Sequence, residues 1–200
     1  MAPDGQESEV HETLLTIGHG TLTTAALTDL LVGAHVALVV DIRRFPGSRR
    51  HPHLAREQLA VSLPAGGVHY RWEERLGGRR ALPAEPAGSP DVALRNVAFR
   101  GYAAHMRTEE FRAAVDDLLA AAAATQVAIM CSETVWWRCH RRLVADFATL
   151  ARGRPVEHLM PGARATPHLP TDGVRVGPDG LLVYDAGADS LPWEAPEQIR

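Results

Sequence analysis

The chain has 200 residues, 46% of them hydrophobic, two cysteines and a formal net charge of -3. That length suits one domain with a sizeable core, the charge argues against a broad nucleic-acid-binding surface, and two cysteines make no disulfide framework, so a cytoplasmic protein with reduced thiols is expected. No apolar run approaches the roughly 18 residues of a membrane span, and the opening residues, MAPDGQESEVHE, are too acidic and polar for a signal or transit peptide.

Residues 1–12 read as a disordered lead-in. Leu14–Ile17 is a short strand ended by Gly18-His19-Gly20, and Thr23 or Thr24 can cap a helix through Leu30 and Leu31 that Gly33 stops. Val36–Val40 is fully apolar, the strand type of parallel sheets, and runs into Asp41-Ile-Arg43-Arg44. Phe45–His53 is too rich in Pro and Gly to form an element. A helix is expected from about Leu54 to Leu63, then a strand at Val68–Trp72 leading to Leu76-Gly-Gly-Arg79-Arg80. Residues 81–96 read as a Pro- and Ala-rich surface loop or lid. Phe99–Tyr102 opens a helical region. Thr108-Glu-Glu starts a second helix, whose period is kept by Phe111, Val115, Leu118, Leu119 and Ala122.

Val127–Met130 is a buried strand, followed by a loop and then a helix starting near Arg138, with Leu143, Val144, Phe147 and Leu150 on one face. Val156–Leu159 is a last parallel strand. Val174–Val176, Gly177-Pro-Asp-Gly180 and Leu181–Tyr184 read as a β-hairpin. The whole predicts an α/β fold, a mostly parallel sheet with helices on both faces in a Rossmann-like three-layer arrangement. Its α/β domain spans 13–160, and 161–200 form a C-terminal hairpin and tail.

In such a sheet ligands bind at the carboxyl edge. That edge collects His19, Asp41, Arg43, Arg44, Arg49, Arg50, His51, Arg79, Arg80, Cys131, Glu133, Arg138 and His140. Every basic position outside the histidines is Arg. An Arg- and Ala-rich chain without Lys is what a GC-rich genome yields, but that does not explain why the arginines cluster. Guanidinium forks match phosphate or carboxylate geometry, so Arg43, Arg44, Arg49, Arg50, Arg79 and Arg138 are candidates for holding an anion. The plain reading is that Arg43 and Arg44 pair with Asp41, Glu73 or Glu74. Amides of the helix starting near Arg138 would add donors. Cys131 sits where a nucleophile would, with nearby Arg or His to lower its pKa. It is equally readable as a buried structural thiol. Six residues separate Cys131 from Arg138, one more than in the phosphate-binding loop of cysteine phosphatases, so that motif is not assigned. Glu133, His19 and Asp41 are proton-transfer candidates. Trp136, Tyr102 and His140 are candidates for contacting substrate, and Trp136 or Trp137 could stack on a base or ring. Cys139 reads as structural, on the helical face of Leu143 and Phe147. Cys131, Cys139, His140 and His19 offer thiolate and imidazole ligands that suit zinc, but no metal site is assigned, because the spacing fits no standard zinc pattern and adjacent Cys139 and His140 would point to different sides of a helix.

Several segments together resemble a known family, the uncharacterised domain of unknown function 488. They are Thr16-Ile-Gly-His19, Val40–Arg50, Leu76-Gly-Gly-Arg79, Phe99-Arg-Gly-Tyr102, and Met130-Cys-Ser-Glu133 followed by Cys139-His-Arg-Arg142. The likeness runs over roughly residues 14 to 160 and departs at Val135, where a Pro is expected before the Trp. It implies a compact α/β fold and brings no settled reaction or cofactor. The residues themselves point to an enzyme, a cysteine-dependent hydrolase or transferase, that binds an anionic small molecule or a nucleic-acid component. The alternatives are a nucleic-acid-binding module without catalysis and a metal-dependent enzyme. No membrane partner is expected, and the oligomeric state is left open.

Overall fold

Apolar runs of strand length, buried on both sides, build the centre of the molecule. In the computed structural model, which describes residues 12–47, 50–81, 88–162 and 165–187, β1 (Leu14–Gly18) and β4 (Val127–Cys131) are buried at every position. They pair in parallel, Gly18 opposite Cys131. With β2 (Leu38–Asp41), β3 (His69–Trp72), β5 (Val156–Leu159) and the short β6 (Thr166–Pro167) they form a six-stranded sheet of order β3-β2-β4-β1-β5-β6. All pairings are parallel except β5–β6. The expected α/β class is therefore observed. β6 was not foreseen: two exposed residues carry no alternation to detect.

Strand alternation sorts the core into two layers. Leu14, Val40, Ile42, Val127, Ile129 and Cys131 face one side, packed under α3 (Val97–Met106), α4 (Glu109–Ala124) and α5 (Arg141–Asp146). Leu15, Ile17, Val39, Ala128 and Met130 face the other, covered by α1 (Thr24–Gly33) and α2 (Arg56–Ala65). Thr23 caps α1 and Thr108 caps α4, each through its side-chain oxygen.

From β1 the chain leaves over one face toward β2, whereas from β4 it crosses the other face toward β5. The neighbours β1 and β4 thus flank the point where the winding reverses, which is where an open α/β sheet leaves a crevice at its carboxyl edge. The hairpin of β7 (Val174–Val176) and β8 (Leu182–Tyr184) closes the α3–α5 side, burying Leu182 and Tyr184. The described part of the predicted loop 81–96 is pinned by buried Asp91, which accepts from Arg107 and from the Tyr184 amide.

One boundary differs in a way that matters. The helix expected near Arg138 begins at Arg141. Trp136–Arg138 form a 3-10 turn, and Cys139 is extended (φ -118, ψ 148). Beyond α5 the chain continues as a π-helical turn, Phe147–Ala151.

Candidate functional site

The carboxyl ends of β1, β2 and β4 open on a cavity of about 480 Å³. Its walls include His19, Arg43, Arg44, Arg79, Tyr102, Cys131, Glu133, Arg138 and His140, with Phe45 and Phe99 as apolar surface. Asp41, Arg50 and Trp136 do not line it, and Arg49 lies outside the described residues.

Strand parity explains Asp41. It is in register with Met130 and faces the α1–α2 side, opposite to Cys131. There its fully buried carboxylate accepts from the Arg43 Nε and Nη2, the Arg43 amide and the Tyr70 hydroxyl, at 2.6–3.1 Å. Arg43 reaches the cavity wall with its charge already paired. Its Nη1 donates to the Leu54 carbonyl at 2.8 Å and to His19 Nε2 at 3.1 Å. That contact requires a bare Nε2 on His19, so the His19 proton sits on Nδ1 and donates to the Gly20 carbonyl at 3.1 Å. Burial first, and then the Arg43 charge, lower the His19 pKa, which keeps the ring neutral.

The remaining arginines are less committed. Arg44 is half-buried; its Nη1 donates to the Arg79 carbonyl at 3.0 Å, and its Nε is buried with no partner among the described residues. Arg79 and Arg138 are exposed, and neither side chain has a hydrogen bond or ion pair among the described residues. Arg79 holds a left-handed φ of 58°. Glu133 is exposed at the rim. The amides expected from a helix start at Arg138 are not available: Arg138 N donates to Val135 O and Cys139 N to Trp136 O. Arg80 is bound to the carbonyls of Glu74, Arg75 and Gly77, and the Tyr102 hydroxyl donates to Leu76 O.

At the floor, Cys131, Cys139 and His140 meet. His140 Nδ1 lies 3.8 Å from Cys131 Sγ and 3.6 Å from Cys139 Sγ. The expectation that Cys139 and His140 diverge is corrected, because both precede α5 and are not on a helix face. Hydrogen bonding from the Cys139 thiol, with help from His140 and the Glu133 amide, holds the Cys131 thiol well below the usual range against its burial. Burial pushes the Cys139 thiol up.

Close backbone approach fixes this floor. A Cβ on Gly78 would sit 2.8 Å from His140 Nδ1, one on Gly77 2.8 Å from the Arg44 Cα, and one on Gly18 1.8 Å from the Glu133 carbonyl oxygen. Fully buried Arg141 ties the loop after β4 by donating to the Glu133 and Thr134 carbonyls. Trp136 does not offer a free face to the cavity; it stacks on His158 at 4.1 Å. Sequence reading placed Cys139 on a helix face, where the structure has it extended ahead of the helix, and missed the roles of Arg141 and Gly78. The tight Leu76-Gly-Gly and Cys139-His-Arg runs were the signal, but their partners are remote in sequence.

Among the described residues no helix is long and apolar enough to cross a membrane. A family model described as domain of unknown function DUF488 matches residues 23–148. Comparison with curated proteins and with solved structures gives no match.

Proposed function

The chain belongs to the family called domain of unknown function DUF488, whose model spans more than half of it, and from the geometry of the site we propose that it is an enzyme acting on an anionic, phosphate-bearing small molecule. The observation that carries this reading is the pairing of uncommitted guanidinium groups, Arg79 and Arg138, with a sulfur- and imidazole-bearing floor in one cavity. Arg79 and Arg138 hold the anion, with Arg44 behind them. Arg43 positions the edge through Asp41 and His19 and does not bind the anion itself. Phe45 and Phe99 suit a flat or apolar portion of the substrate, such as a nucleobase. The reacting group lies over Cys131 and His140, and Glu133 at the rim is the proton-transfer group, since both nitrogens of His19 are engaged.

A nucleic-acid-binding module without chemistry fits less well, because neither of its candidate stacking residues lines the cavity: one face of Trp136 is covered by His158, and Trp137 is exposed outside it. Calorimetric titration with inorganic phosphate and with a nucleoside monophosphate tests the reading. Arg79→Ala and Arg138→Ala are each expected to weaken binding about 10–100-fold, the range of a lost charge-assisted hydrogen bond. Absence of binding by the folded wild type, or binding by both variants as tight as that of the wild type, overturns it. A panel of phosphate esters then identifies the reaction.

A further inference from the structure

We propose that Cys131, Cys139 and His140 form a binding site for a zinc-like divalent metal ion, held by the two Sγ atoms and His140 Nδ1, with its fourth position open to the cavity. The three donor atoms lie within 4.8 Å of one another. Around a tetrahedral zinc, with bonds of about 2.3 Å to sulfur and about 2.0 Å to nitrogen, sulfur and nitrogen stand about 3.5 Å apart. The observed sulfur–nitrogen separations are 3.8 and 3.6 Å, so the imidazole already stands near the required distance from both sulfurs, and the sulfurs, within 4.8 Å of each other, close on the ion.

The tautomer of His140 is a second, independent observation. Its Nε2 lies 3.1 Å from the Ile42 carbonyl oxygen, which can only accept. Nε2 therefore carries a proton, and Nδ1, the ring's other nitrogen, is turned to the two sulfurs. A metal-bound imidazole is oriented in the same way, with its other N–H on a carbonyl. The ring cannot easily turn away: the Gly78 backbone lies against it and Tyr102 packs edge-on with centroids 5.1 Å apart.

A metal ion takes both sulfurs as thiolates together with the imidazole and so uses all three donors. Soft sulfur with imidazole selects zinc or its neighbours over magnesium or calcium. All three residues line the cavity, so the fourth position faces the space where Arg79 and Arg138 would hold an anion. This is the three-ligand, open pattern of a reactive site and not a closed structural one. Cys131 then serves as a ligand, and the ion polarises whatever oxygen it binds.

The site shares its floor with the proposed activity but does not depend on the anionic substrate, and metal uptake is read without any substrate, so the two proposals fail separately. The full chain, untagged and purified under reducing conditions, is analysed for zinc, stripped with a chelator and titrated with Co2+. One ion per chain is expected, with intense thiolate-to-cobalt charge-transfer absorption and the visible bands of tetrahedral cobalt. Cys131→Ser, Cys139→Ser and His140→Asn, each checked for native circular dichroism, are expected to weaken Co2+ binding by more than the roughly 10–100-fold that loss of a second-shell partner causes. A folded, reduced wild type that carries no stoichiometric metal and gives no charge-transfer band overturns the proposal. So does a cobalt spectrum unchanged in both cysteine variants, which would put the ion elsewhere.

Discussion

Gly78 is the residue on which the floor of the cavity turns. It has no unusual φ; what it provides is the space a Cβ would occupy, 2.8 Å from His140 Nδ1 and 3.0 Å from its Cγ. Gly78→Ala must push the ring off the Ile42 carbonyl or off the two sulfurs. Cobalt affinity is expected to fall about tenfold or more, with little change in melting temperature, because the ring itself moves and the core does not; unchanged affinity would mean the ring is not held by this contact. Arg43 makes the opposite case. Its guanidinium is 6% exposed and its partner Asp41 is fully buried. Arg43→Met leaves an unpaired carboxylate in the sheet edge, and removing one partner of a buried pair costs about 3–5 kcal/mol. Urea unfolding is the measurement. A loss under about 1 kcal/mol would mean that Asp41 is adequately served by Tyr70 and the Arg43 amide alone.

At the scale of elements, the local signals were sound wherever the stabilising partner is close in sequence. Thr108 caps α4 as its hydroxyl and the following carboxylates announce, accepting from Phe111 N at 3.2 Å. Thr108→Ala is expected to lower unfolding free energy by about 1 kcal/mol and to leave phosphate and cobalt binding unaltered, since α4 contributes no residue to the cavity. The strands were legible for a similar reason: β1 and β4 are apolar on both faces, and that pattern has few readings other than a buried parallel strand. The site was legible as a region but not in its assignments. Placing Asp41 behind the sheet required the register of β2 against β4. Placing His140 required the Ile42 carbonyl, 98 residues away in sequence. The amphipathic period of Leu143, Val144 and Phe147 extrapolates backward to Arg138, but it cannot show that Cys139 is extended. The chain turns there because Arg141, wholly buried, is held by two carbonyls of the loop before it.

Over the whole molecule, one buried polar chain ties the separate layers together. Thr16 Oγ1 on β1 shares a hydrogen bond with His158 Nδ1 on β5 at 2.7 Å, His158 Nε2 shares one with His168 Nδ1 at 3.0 Å, and His168 Nε2 donates to Asp146 at the end of α5 at 2.9 Å. The Tyr184 hydroxyl of the hairpin and the Thr171 amide also donate to Asp146. Burial above all, then His168 and Arg141, lowers the His158 pKa to about 3 from 6.5. Between those values the unfolded chain binds a proton that the folded chain refuses. The contribution to stability is therefore complete above about pH 6.5 and is lost as pH falls toward 3, at up to about 1.4 kcal/mol per pH unit. His19 and His105, whose pKa values are also lowered, act in the same direction. Urea unfolding of the wild type and of His158→Asn across this range separates them: the variant is less stable at neutral pH but its stability declines less steeply with acid. Parallel slopes in the two proteins would show that His158 takes up its proton in the fold. Trp136 rests on the His158 ring, and the 3-10 turn it opens ends in Arg138. Acid loosening of this network should therefore weaken phosphate binding before the chain unfolds.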